Sequence, residues 1–263
     1  MISLSIKDRV AFVTLSRPEK QNALSLEMFV ALDKTIKQLR RDRTLVAVVL
    51  QGSGDHFCAG LDVKSVMKRP SSIVKLLFKW LPGNANLVQR VVLGWQTLPV
   101  PVIANIKGNC LGGGCHIALG ADIRIAASSA QLAIMEAKWG LCPDMGASVL
   151  LPGLVNKDNA LALSIAAERI AASSAQQLGL VTEVCDDTEA RIAQLLAQYR
   201  SRSPDAIAAI KQVYNRAYNQ PSRKLLWQET WSQIKLLCSK NTRIAMSNAT
   251  SDAAKAFRPR AKW

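Results

Sequence analysis

The chain has 263 residues, with 34 Lys and Arg against 19 Asp and Glu, a formal net charge of +15. Hydrophobic residues at 49 % and charged residues at 20 % exclude an intrinsically disordered chain, and 14 Gly and 10 Pro exclude a collagen-like or low-complexity one. The charge points to nucleic acid, an anionic membrane or a phosphorylated small molecule, or else to a solvated helical surface, and it is uneven: 13 Lys and Arg but only 3 Asp and Glu lie from Arg200 to Trp263.

Val10 to Leu15, rich in β-branched residues and closed by Arg17-Pro18, predicts a strand. Ser25 then serves as an N-cap, with Met28, Leu32 and Ile36 at helical spacing after it. Leu45 to Leu50 predicts a buried strand ending in the turn Gly52-Ser53-Gly54-Asp55. Helical stretches between Ile73 and Trp95 are expected to break at Pro82-Gly83. Val100 to Ile106, Ile123 to Ala127 and Leu132 to Ile134 predict further strands. Helices dominate after Thr188, itself a plausible N-cap. βα alternation followed by helices predicts an α/β core with a C-terminal helical appendage from about residue 200.

No apolar run is long enough to cross a bilayer, and Met1 to Asp8 carries no leader pattern, so a cytoplasmic protein without a membrane partner is expected. Six cysteines (Cys58, Cys110, Cys115, Cys142, Cys185, Cys238) in no C-x-x-C pair, and only His56 and His116 as histidines, predict reduced thiols and no metal site.

Three segments could carry chemistry. Asp55 to Lys64 places small residues at a strand-to-helix junction, where free backbone N–H groups suit an anion. Gly108 to His116 contains Gly112-Gly113-Gly114 between a strand and a helix, but neither a dinucleotide fingerprint nor a phosphate-binding P-loop. Met135 to Gly146 holds Glu136 and Asp144 among apolar neighbours, with Gly140 and Pro143 between them. The two carboxylates either turn toward one cavity for acid–base work, or have local roles: Glu136 paired with Lys138 or capping a helix, Asp144 capping the next helix.

Taken with Arg17-Pro18-Glu19-Lys20-Gln21-Asn22-Ala23-Leu24, Pro101 to Ala104, Ala121-Asp122-Ile123-Arg124 and Ala175 to Val181, these segments resemble the crotonase (enoyl-CoA hydratase/isomerase) superfamily over most of the chain. The resemblance implies a spiral of ββα units over residues 1–199 and a helical trimerisation region over 200–263, hence a homotrimer or a hexamer built as a dimer of trimers. It also implies a coenzyme A thioester substrate and no permanently bound cofactor. The N–H groups of Leu61 and Gly113 would form an oxyanion hole, and Lys20, Ala59, Leu61, Asp62, Val63, Lys64 and Gly113 would contact the thioester or its coenzyme A portion. The basic cluster including Lys255, Arg258 and Lys262 would lie where a neighbouring subunit's site can be reached.

Hydratases of the family carry two glutamates. The second is Glu136 here, but the first position, two residues after the triple glycine, is His116. Dienoyl-CoA isomerases match Glu136 and Asp144 together. The expected reaction is therefore a double-bond shift in an enoyl- or dienoyl-CoA. The alternatives are hydration by Glu136 with Asp144 or His116, a basic RNA-binding protein of the same fold, and a family member with little activity. Against RNA, the basic C-terminal stretch has few interleaved aromatics, and the i,i+4 spacing of Trp227 and Trp231 suits helix–helix packing.

Overall fold

The computed structural model describes residues 1–67, 70–81, 83–217, 222–250 and 255–262. In chain order its elements are β1 (Ile2–Lys7), β2 (Val10–Leu15), α1 (Leu26–Arg41), β3 (Ala47–Gly52), α2 (Val63–Met67), α3 (Pro70–Leu77), α4 (Leu87–Leu93), β4 (Val102–Ile106), β5 (Asn109–Leu111) and α5 (Gly113–Leu119). There follow β6 (Ile123–Ala127), β7 (Gln131–Ala133), α6 (Ala147–Leu150), α7 (Lys157–Ala166), β8 (Ile170–Ala171), α8 (Ala172–Gln177), β9 (Glu183–Cys185), α9 (Thr188–Arg200), α10 (Pro204–Ala217), α11 (Ser222–Leu237) and α12 (Lys240–Thr250).

The larger sheet has the order β1-β2-β3-β4-β6-β9, antiparallel between β1 and β2 and parallel from β2 onward. A parallel sheet needs cover on both faces, and the alternation of side chains along each strand supplies an apolar surface to each. Val48 and Leu50 join the main core with Phe29, Leu32 and Trp95. Ala47 and Val49 point the other way and pack with Ile103, Ile125 and the Ile192, Leu195 and Leu196 stripe of α9. Burying one such leucine contributes about 2 kcal/mol.

β5, β7 and β8 form the smaller sheet. Cys58 extends it by a parallel bridge to Cys110. Two passes of the chain run through the large sheet, then the small one, then a helix or 3-10 turn: β4-β5-α5, and β6-β7 followed by the turn from Glu136. This is an α/β architecture of two sheets with helices at the C-terminal end.

Ser25 caps α1 as expected, its hydroxyl accepting from the Met28 N–H at 3.4 Å. The cap of α9 is Asp187, not Thr188; the Asp187 carboxylate accepts from the Ala190 N–H, and Thr188 is the first helical residue. α3 ends at Leu77 and α4 begins at Leu87, so the break brackets Pro82-Gly83, of which Pro82 lies outside the described residues.

Helix α10 docks on the core through polar anchors. The buried Lys211 of α10 donates to the carbonyls of Trp95 and Val100 and lies 2.6 Å from the half-buried Asp122 carboxylate. Residues 255–262 return to the end of α1: the Arg260 N–H donates to the Arg43 carbonyl, and Arg43 Nε donates to that of Arg260. Trp227 and Trp231 stack on each other, ring centroids 6.2 Å apart, and stay largely exposed in this chain rather than packing between its helices. No helix among the described residues is long and apolar enough to cross a membrane.

Candidate active site

Asn22 and Arg17 organise one wall of the site. Asn22 is fully buried; its amide donates to the carbonyls of Ser53 and His56, and its Oδ1 accepts from the Arg17 N–H. The Arg17 guanidinium donates to the Ala23 carbonyl and to Asp62 at 3.1 Å. The segment holding Lys20 is thereby fixed against residues 56–62, with the Ala59 N–H donating to the Gln21 carbonyl and Leu24 bridging Leu61. The bonds of Asn22 to Ser53 and His56 and of Arg17 to Asp62 had no signal in local spacing, because these partners lie tens of residues away.

Two glycine turns bring the second wall close. Gly60, at φ +95, leaves no room for a side chain: a Cβ there would stand 3.0 Å from the Leu111 carbonyl oxygen. Gly114 is tighter still, since a Cβ would lie 2.5 Å from that of Cys58. The loop before α2 and the turn before α5 thus pack backbone to backbone. Gly113 is the first residue of α5, and among the described residues neither its N–H nor that of Leu61 donates a hydrogen bond. Such free donors at adjoining turns can receive a developing oxyanion.

The third segment folds over this pair. Glu136 opens a 3-10 turn ended by Gly140 at φ +70, and the Leu141 N–H returns to the Glu136 carbonyl. The Glu136 carboxylate lies over the glycine turn, with Oε1 3.8 Å from where a Cβ on Gly112 would stand and 3.7 Å from His116 Nδ1. The second distance is too long for a hydrogen bond. Met145 lies beneath Gly113, with Sδ 3.0 Å from a Cβ built there.

His116, Glu136 and Asp144 share one electrostatic environment. Burial pushes the Glu136 carboxyl above its ordinary range, with backbone N–H groups opposing. Partial burial also raises Asp144, which is the more exposed of the two, and the Glu136 charge adds to the rise while His116 opposes it. His116 is completely buried and both ring nitrogens lack partners among the described residues. Burial pushes it down to about 4, against the pull of Asp144. Cys58, packed against Gly114, is pushed up to about 12 by burial and stays a thiol at neutral pH. The local alternatives are not what forms: Gly146 occupies the N-cap position of α6, and the described carboxylate contacts of Glu136 include His116 but not Lys138.

The remaining expected residues spread around this centre. Ala59 and Val63 are half-buried, Leu61 is partly exposed, and Lys20 stands exposed at the rim. The Asp62 carboxylate is committed to Arg17 and to the Ser65 N–H, and its backbone N–H donates to the Leu24 carbonyl, so Asp62 holds the loop in place. Lys64 belongs to α2, but its side chain lies outside the described residues. Among the described residues there is no cluster of His, Cys, Asp and Glu able to hold a metal ion.

A sequence profile described as enoyl-CoA hydratase/isomerase matches residues 5–248. The chain belongs to that family. It is 35 % identical over 81 % of its length to the 1,2-epoxyphenylacetyl-CoA isomerase of Escherichia coli, covering 80 % of that protein. It is equally 35 % identical to the short-chain-enoyl-CoA hydratase of Clostridium acetobutylicum, over 82 % of this chain and 81 % of that one. Among solved structures, the enoyl-CoA hydratase of Bacillus anthracis superposes with a TM-score of 0.88 at 26 % identity, covering 97 % of this chain and 98 % of that one. Family membership implies acyl-CoA substrates and leaves open which reaction follows.

For this crotonase-fold chain, His116 makes a stability prediction. Its ordinary value is 6.5 and its folded value about 4, so the unfolded chain accepts a proton that the folded chain refuses. The contribution is complete above 6.5 and is lost as pH falls through the folded value, by roughly 3 kcal/mol in all. The raised carboxyls of Glu136 and Asp144 act oppositely, so the comparison must be with a His116 variant. In thermal unfolding at pH 7 and pH 5, His116→Leu loses less stability on acidification than the wild type. Equal losses would contradict a buried neutral imidazole.

Proposed function

We propose that this chain shifts a double bond in an enoyl- or dienoyl-CoA, using Glu136 as the principal base and acid and Asp144 as the second proton-handling group. The observation that carries the reading is the Glu136 carboxylate lying over the turn that ends in the free Gly113 N–H, its proton affinity raised by burial and Asp144 within reach of its charge.

The Glu136 carboxylate takes the proton from the carbon beside the thioester. The electron pair moves onto the carbonyl oxygen, which accepts hydrogen bonds from Leu61 and Gly113. These donors need no reorganisation as charge develops, so they stabilise the transition state more than the ground state. The enolate electrons then take up a proton at the far end of the conjugated system, and the double bond lies one position nearer the thioester. Glu136 returns its own proton in a 3-enoyl substrate. In a 3,5-dienoyl substrate Asp144 donates instead, for which a raised proton affinity is suited. His116, neutral and buried, leaves the site without the second glutamate at that position.

Hydration is the second reading. It is favoured by the closeness of Asp144 to both Glu136 and His116, sensed as charge interactions. Either group could then hold water while Glu136 manages the α-proton. Turnover of 3-enoyl-, 3,5-dienoyl- and crotonyl-CoA, followed by ultraviolet absorbance, separates the two. Faster conversion of a 3-enoyl or 3,5-dienoyl thioester than of crotonyl-CoA is expected. Crotonyl-CoA hydration as the fastest reaction would overturn the isomerase assignment.

A further inference from the structure

The end of α1, the residues after α4, α10 and the C-terminal tail together enclose a groove of about 940 Å³. None of Leu61, Gly113, His116, Glu136 or Asp144 lines it. Six exposed cations do: Lys37, Arg40, Arg41 and Arg43 from the α1 side, Arg216 from α10, and Lys262 from the tail. No carboxylate is among its described lining residues. Lys37 pairs with Asp33 at 2.7 Å. Arg40, Arg41, Arg216 and Lys262 form no ion pair among the described residues.

The walls are built rather than incidental. The reciprocal backbone and guanidinium bonds between Arg43 and Arg260, with Arg260 Nη2 on the Asp42 carbonyl, hold the tail against α1. Lys211, also in the lining, is already committed to Asp122 and two carbonyls. The unneutralised groups repel one another, and an anion placed between them relieves that repulsion. Arginine forks match phosphate oxygens in pairs, and guanidinium groups on facing walls reach more than one phosphate. The described lining has no aromatic ring, so it offers no platform on which a nucleobase could stack.

We propose that this groove binds a chain of linked phosphates, of the class of tripolyphosphate, at a site separate from the thioester site. It accounts for part of the basic excess that one coenzyme A molecule leaves unexplained. It holds whether the thioester chemistry is isomerisation or hydration.

The test is titration calorimetry of the full chain with sodium tripolyphosphate at two salt concentrations. The variants are Arg41→Glu/Arg216→Glu and, as a control of equal net charge, Lys7→Glu/Lys34→Glu, two exposed lysines outside the groove. Wild-type affinity should fall as salt rises. The groove variant should bind at least about tenfold more weakly, and the control within about twofold of wild type. Circular dichroism and thioester turnover should be unchanged in both, and Arg41→Ala replaces the double variant should that one fail to fold. The proposal is overturned by equal weakening in the two double variants, by no wild-type binding up to about 1 mM, or by tighter binding of single-stranded oligouridine than of tripolyphosphate at equal phosphate concentration.

Discussion

Replacing Glu136 by Gln lowers kcat on the best thioester substrate by on the order of 10² to 10⁴, the range that a positioned general acid–base group supplies. Gln keeps the size and shape of the side chain but cannot take a proton from carbon. KM should change far less, because in the proposed site backbone donors and not this carboxyl hold the thioester. The same substitution carries a second expectation of opposite sign. Burial raises the Glu136 proton affinity in the folded chain above the ordinary 4.5, so ionisation at neutral pH costs stability. That cost is absent below the unfolded value, grows as pH rises, and is complete above the folded value. Glu136→Gln should therefore melt higher than wild type at pH 7, with the difference shrinking toward pH 4. An inactive variant that is also more stable cannot be explained by misfolding. Full activity in the Gln variant would remove Glu136 from the mechanism.

Gly113→Pro should lower kcat/KM by on the order of 10² to 10³, the loss seen when one oxyanion donor is removed. Gly113 is the first residue of α5, a position where proline is tolerated because its missing N–H has no helical acceptor. The control is Gly113→Ala, which keeps the N–H. Its Cβ would meet Met145 Sδ at 3.0 Å and Leu24 Cδ1 at 3.3 Å, both ends of flexible side chains, so the neighbours can give. The expected order of activity is wild type, then Ala, then Pro by a wide margin, with KM for the thioester rising little. Equal losses in Ala and Pro would assign the effect to crowding near Met145 and not to the N–H.

The strands that could be read in advance are those in which burial and β-branching coincide. Val10–Leu15 and Ile123–Ala127 form over the expected residues because most of each is packed on both faces. β1 gives a weaker signal: Ile2, Leu4 and Ile6 alternate with polar residues on an edge strand that is mostly exposed. β5, β8 and β9 have three residues or fewer, too short for any period to register, and β5 lies inside the glycine segment read as a loop. Candidate residues were legible singly, from the glycines and from carboxylates among apolar neighbours. Their assembly was not. The contact of Gly114 with Cys58 and the bonds of Asn22 to His56 and of Arg17 to Asp62 are long-range facts. Asp62 illustrates the limit: its position beside the oxyanion turn was readable, but not the Arg17 contact that occupies its carboxylate.

The central claim is that Glu136 moves a proton at the carbon beside a thioester whose oxygen is held by Leu61 and Gly113. Deuterium incorporation from heavy water into that carbon of a saturated acyl-CoA tests it most directly, because no double bond, water addition or second carboxyl is needed. Wild type should incorporate deuterium. Asp144→Asn should do so at a comparable rate, and Glu136→Gln should be slower by at least about 100-fold. Exchange in Glu136→Gln as fast as in wild type, or its loss in Asp144→Asn alone, would contradict the account.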